Sequence, residues 1–286
     1  MSAEPAARLA DRLRAAGHRL LPTRLISRVT WQVARSPRPW LKNRLNRFLV
    51  QRYGLDLSEA EHTDPCAYPT FNALFTRALR PGARPLPEDP QALISPCDGT
   101  VSAVGYLRGE QLIQAKGIEY PLGTLLGGLD ATPLRDGAFV TIYLSPRDYH
   151  RFHAPLAGRL RAERHVPGRL LTVAPCAVRA IRGLFLRNER HVTLWETAVG
   201  PVAVIPVGAV NVGSIETVWG GPVAEAPGLS RDYAPGAGVF LDRGEELGRF
   251  NLGSTVILVL PRGAVRWVDG LVSGRSVRMG EVLGRL

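Results

Sequence analysis

The chain has 286 residues, 45% of them hydrophobic, and a net charge of +11. Its length suffices for one large domain or two with a sizeable buried core, and its apolar content fits a globular protein. No run approaches the roughly 18 apolar residues that a spanning helix needs, and the N-terminus lacks a signal peptide's apolar core and cleavage site, so a cytoplasmic protein is the default expectation.

The charge is unevenly placed. Residues 1–60 hold twelve Arg or Lys against four Asp or Glu, so +8 of the +11 sits there. Leu9, Leu13, Leu20 and Leu21 recur near helical spacing between Arg8, Arg12 and Arg19, and Leu25, Ile26, Val29 and Val33 continue the theme beyond Pro22. After Pro37 and Pro39, Leu41, Leu45, Phe48 and Leu49 fall at i, i+4, i+7 and i+8, with Lys42, Arg44 and Arg47 off that stripe. An apolar stripe beside arginines, with Trp31 and Trp40 nearby, fits a helix lying among lipid headgroups. The alternative is a helix packed on its own domain with a solvated basic face. Plain electrostatics attracts such a segment to anionic lipid or nucleic acid.

Residues 54–92 read as a mixed region: a short helix beginning near Thr70, then a proline-rich connection through Pro81, Pro85, Pro87 and Pro90. From about residue 93, β-rich runs alternate with Gly and Pro: Val101–Val104, Phe139–Leu144, Val192–Trp195, Val202–Val207 and Val256–Leu260. Their spacing predicts a compact mostly-β domain without βαβ rhythm. The fold class expected is therefore α+β: residues 1–60 as a basic amphipathic helical segment and 61–286 as a mostly-β catalytic domain. Gly168, Gly183, Gly208, Gly213 and Gly244 are assigned to turns or bulges.

Three parts of the chain carry the chemistry. Asp98 stands in Ser95-Pro96-Cys97-Asp98-Gly99, two histidines in Tyr149-His150-Arg151-Phe152-His153, and Ser254 in Leu252-Gly253-Ser254-Thr255. A carboxylate, an imidazole and a hydroxyl are what turns a serine into a nucleophile. The residues alone do not choose between His150 and His153, which at i and i+3 share a helical face but point opposite ways on a strand. His18, His62, His165 and His191 lack metal-ligand spacing, and Cys66, Cys97 and Cys176 form no CxxC pair. No metal is expected, and the thiols are expected to be free in a reducing compartment.

Six blocks in order resemble the phosphatidylserine decarboxylases in their bacterial membrane-associated form. They are Phe75-Thr76-Arg77-Ala78-Leu79-Arg80-Pro81, the Pro-x-Asp-Gly turn at Asp98, Tyr143 to Arg151, Arg187-Asn188-Glu189-Arg190, Val207 to Ile215, and Leu-Gly-Ser-Thr at Ser254. The resemblance implies a self-processing proenzyme. The Ser254 hydroxyl attacks the Gly253 carbonyl, with His153 as base and Asp98 orienting it, and the peptide becomes an ester. Abstraction of the Ser254 α-proton then splits the chain into a β chain of 1–253 and an α chain of 254–286. The dehydroalanine left at 254 becomes an imine that water hydrolyses with loss of ammonia, leaving a pyruvoyl group whose ketone takes the substrate amine as a Schiff base and accepts electrons as CO2 leaves. The implied substrate is phosphatidylserine, the product phosphatidylethanolamine, and the role phospholipid biosynthesis. Less firmly, His150 is assigned to the decarboxylation step and Lys116 to substrate contact. A pyridoxal alternative has only Lys42 and Lys116 to use and no phosphate-cradling loop. The implied place is the cytoplasmic face of the cell membrane, attached peripherally, with the two chains as a heterodimer and no nucleic acid partner. Rival readings are a serine hydrolase, which would lack the Gly-x-Ser-x-Gly elbow, and a non-enzymatic basic protein needing only the first 60 residues.

Overall fold

The computed structural model describes residues 30–115, 118–209, 215–251 and 254–286, with backbone alone at 113–115 and 118. The basic helices expected within residues 1–29, together with Lys116 and Gly253, lie outside these residues.

Helix α1, Pro39–Tyr53, starts on a proline whose missing N–H costs nothing in the first turn. Of its predicted stripe, Leu49 is buried, whereas Phe48 points outward at 55% exposure, as does Trp40 at 68%. The place expected for an apolar residue is taken by Asn46, fully buried because its amide donates to the Pro65 carbonyl at 2.8 Å. The short helix α2, Phe71–Phe75, begins where expected. Thr70 caps it, its hydroxyl accepting from the Ala73 N–H at 3.0 Å. Leu49, Leu55, Leu57, Ala60, Tyr68, Leu74 and Phe75 form a small core of their own that runs across residue 60. Among the described residues no helix is long and apolar enough to cross a membrane.

The rest is built on one antiparallel sheet. Its strands are β1 (Gly99–Tyr106), β2 (Ala138–Leu144), β4 (Gly158–Val166), β5 (Arg190–Thr197), β6 (Gly200–Gly208) and β8 (Ser254–Leu260). They stand side by side in the order β4-β5-β6-β8-β2-β1, edged by Ser230–Asp232 and Ser276–Val277. A smaller sheet pairs β3 (Arg151–His153) with β7 (Glu246–Phe250), and β7 with Ile215–Thr217. All five β-rich runs read from the sequence are strands, so the mostly-β expectation holds over the described part of the chain. Of the glycines assigned to turns or bulges, Gly208 instead ends β6, paired with Ser254, and Gly213 lies outside the described residues.

Strand β8 explains why its sequence is a continuous apolar run rather than an alternating one. Val256, Leu258 and Leu260 enter one core; Ile257 and Val259 enter the other, on the opposite face. A strand covered on both faces has no polar side to present. Lying between β6 and β2, β8 is also bonded along both edges.

Candidate active site

Ser254 is the first residue of β8, flanked by Gly208 of β6 and Leu144 of β2. Its side chain is fully buried, and its hydroxyl has no hydrogen-bond partner among the described residues. Leaving a buried polar group unpaired costs about 1–3 kcal/mol. The next residue repeats the pattern, since the Thr255 hydroxyl is also buried and unpartnered.

The two histidines are placed by β3 and by the loop that leads into it from β2. His150 precedes the strand and His153 ends it, so they fall into different surroundings. His150 is fully buried against the Phe75 ring, centroids 4.0 Å apart, and its backbone carbonyl accepts from the Phe250 N–H. Its Nδ1 bonds the Asp148 carbonyl at 2.8 Å. A carbonyl only accepts, so Nδ1 carries the proton and Nε2 is the basic nitrogen. That Nε2 is buried with no partner. Burial pushes the pKa of His150 down to about 3, aided by the Arg77 charge and opposed by the Asp148 bond. The ring is neutral at physiological pH.

His153 differs in one decisive respect. Its Nδ1 donates to the Gly244 carbonyl at 2.8 Å, but its Nε2 is occupied by the Tyr149 hydroxyl at 3.0 Å. Gly244 sits in a turn at φ +89, a conformation side chains other than glycine's rarely adopt, and this presents its carbonyl to the ring. Burial lowers the pKa of His153 below its ordinary value; the Gly244 bond, Glu246 and Asp98 pull the other way.

Asp98 lies beside this group. The turn that carries it touches β3 directly, the Pro96 carbonyl accepting from the His153 N–H at 2.7 Å. The following Gly99 is dictated by packing. A Cβ there would sit 2.3 Å from the Tyr143 carbonyl oxygen. The Asp98 carboxylate, however, takes its hydrogen bonds from elsewhere. Both its oxygens accept from the Arg84 guanidinium, and Oδ1 also accepts from the Met279 N–H at 2.8 Å. Asp98 thus bears on the charge of His153 through space, while the bonded neighbours of the imidazole are Gly244 and Tyr149.

Several residues of this neighbourhood escaped the sequence reading: Arg84, Tyr149, Gly244 in its carbonyl role, and Asn72, whose amide donates to buried Asn251 at 2.8 Å, three residues before Ser254. Tyr149 stood inside a quoted motif and could have been found there. Arg84 lies in a proline-rich connection with no signal at all. The Arg187–Arg190 block holds the scaffold. Buried Arg190 donates to the carbonyls of Thr124, Leu125, Leu186 and Asn188. Asn188 ties Leu171 to Gly208, the residue paired with Ser254. His165 and His191 are buried structural residues facing Glu189 and Glu163.

Among the described residues the site thus combines a buried serine hydroxyl without a partner, one neutral histidine with an unbonded nitrogen and another whose two nitrogens are bonded to a carbonyl and a tyrosine. Comparison with known proteins shows the family. Residues 71–285 match the phosphatidylserine decarboxylase family and residues 13–54 a further model described as PSD. The phosphatidylserine decarboxylase proenzyme of Halorhodospira halophila is 85% identical over all of this chain and 98% of its own length. Those of Marinobacter nauticus and Alkalilimnicola ehrlichii are 46% identical over 96% of this chain and 98% of their own length, and 50% over 86% and 88%, respectively. The chain belongs to the phosphatidylserine decarboxylase family. It is a decarboxylase made as a self-processing proenzyme.

Proposed function

We propose that Ser254 is the residue at which this proenzyme cuts itself and from which its pyruvoyl group arises, and that the mature enzyme converts phosphatidylserine to phosphatidylethanolamine. The observation that carries this is the Ser254 hydroxyl, buried at the head of β8 and without a partner among the described residues. A group formed there would be held by the strand pairing to Leu144 and Gly208 and shielded from water. When present, it supplies a carbonyl that accepts the electron pair left as CO2 departs.

The chain's own residues then divide the work. In maturation the Ser254 Oγ attacks the Gly253 carbonyl and His153 takes the proton, once its bond to the Tyr149 hydroxyl opens. Asp98 favours the imidazolium that results. In turnover His150, neutral and with Nε2 vacant, stands ready to hold or return a proton at the reacting carbon. Cleavage gives a β chain of 1–253 and an α chain of 254–286, which stay together as a heterodimer.

The exposed Trp40 and Phe48 of α1, flanked by Arg44 and Arg47, support docking on the anionic cytoplasmic face of the cell membrane. Arginines meet the headgroups while the rings enter the acyl boundary.

Intact-mass spectrometry with carbonyl labelling tests the central claim. A C-terminal fragment beginning at position 254, blocked and reactive to a hydrazide, is expected, and Ser254→Ala should stay whole. A continuous, unlabelled chain that still releases CO2 from phosphatidylserine would sink it.

A further inference from the structure

The Asp98 carboxylate is not free. Arg84 grips it with two guanidinium nitrogens, and the same guanidinium also donates to Glu59 at 2.8 Å. Glu59 in turn faces Arg278 at 3.4 Å. Arg84 is nearly buried, its side chain 9% exposed, and its guanidinium lies 5.8 Å above the Tyr149 ring, whose hydroxyl occupies His153. Arg84, Asp98, Glu59 and Arg278 border a polar cavity of about 230 Å³ between the segment carrying Glu59 and Arg84 and the loop carrying Arg147 and Asp148.

A paired carboxylate acts differently from a free one. Bonded to a guanidinium and a backbone N–H, Asp98 has much of its field cancelled where His153 sits. Burial works against the Arg84 charge, yet its bonds to Asp98 and Glu59 hold it firmly protonated. The remaining groups that bear on His153 are Glu246, Arg151 and Tyr149. Those on the Asp98 side are Arg77, Asp148 and the buried thiol of Cys97. Among the described residues Arg84 is the charged side chain that bonds Asp98.

We propose that Arg84 is a positioning residue for maturation: it holds the Asp98 carboxylate, offsets its charge, and so sets the pH at which His153 becomes a competent base. This rests on the reading of His153 as the maturation base. An Asp98 released from its guanidinium would favour the protonated imidazole. The base works only when neutral, so the rising limb of self-cleavage against pH would move upward.

The full chain, made as a pulse by cell-free translation and shifted to buffers across pH 5–9, reads this out as the fraction cut against time. Arg84→Met should raise the midpoint by about one pH unit. Arg84→Lys, which keeps the charge, should return it most of the way. Glu59→Gln, which leaves Arg84 wholly on Asp98, should lower it by about 0.3 unit. An unmoved midpoint in a folded Arg84→Met, or an equal shift in Arg84→Lys, overturns the proposal. If Arg84→Met aggregates, Glu59→Gln decides, and a midpoint that stays or rises overturns it. A wild-type chain that never cuts removes the maturation reading as well; a wild type that cuts normally beside an unmoved Arg84→Met removes this inference alone.

Discussion

Tyr149→Phe removes one oxygen from the site and tests how His153 is held. The hydroxyl donates to Nε2 at 3.0 Å, and both residues are buried. The ring contact with His153, centroids 5.7 Å apart and 29° between planes, survives in phenylalanine. A net neutral hydrogen bond of this kind contributes about 1 kcal/mol. It stabilises only the neutral imidazole, whose Nε2 is the acceptor, so losing it raises the pKa of His153 by about 0.7 unit. The imidazole must be neutral to take a proton, so the rising limb of self-cleavage moves to higher pH by that amount. Above the limb the effect reverses. Nε2 is then vacant from the start, no bond has to open, and the plateau rate rises up to ~5-fold. The assay is the same pulse and pH shift, with cut and uncut chains resolved on a denaturing gel. A plateau tenfold below wild type with an unmoved midpoint would refute the reasoning, because Tyr149 would then be carrying the proton rather than blocking its acceptor.

Three further outcomes are expected. His150 has a pKa near 3 when folded and about 6.5 when free, so the unfolded chain binds the extra proton. The His150 contribution to stability is constant above pH 6.5 and falls by on the order of 4 kcal/mol as pH drops toward 3. In a Ser254→Ala background, urea midpoints from pH 7 to 4 should fall more steeply with His150 than with His150→Asn, and equal slopes would contradict the buried neutral ring. Gly99→Ala should lose about 2–4 kcal/mol through the clash with the Tyr143 carbonyl, seen as a lower thermal midpoint; unchanged melting would mean the strands part easily there. Replacing Trp40 and Phe48 with serine should weaken sedimentation with anionic vesicles at least tenfold while melting stays as it was. Undiminished binding would move the membrane surface elsewhere.

The sequence made the strands legible because burial on both faces demanded it. Residues 254–260 read as β-rich and apolar for the same reason that Val256 and Ile257 enter opposite cores. Thr70 announced α2 by its own side chain. What stayed hidden depends on contacts far apart along the chain. The partner of Asp98 is fourteen residues away in a loop without pattern, and that of His153 Nδ1 is ninety-one residues away and is only a carbonyl. The sequence left the two histidines alike because what surrounds each ring nitrogen is a property of three-dimensional neighbours. Asn46 escaped the helical stripe because its buried place rests on the bond its amide nitrogen makes to the Pro65 carbonyl, nineteen residues on, which no apolar pattern signals.

The placement of β8 between β6 and β2 has a further consequence for the product of a cut at its head. The severed piece contributes more than β8, since Ser276–Val277 edges the sheet beside β1 and Val282–Arg285 pairs with Ala92–Ile94. Two polypeptides woven together in this way should migrate as one particle in gel filtration and melt in one transition. Only detergent or denaturant would reveal that the backbone is in two lengths.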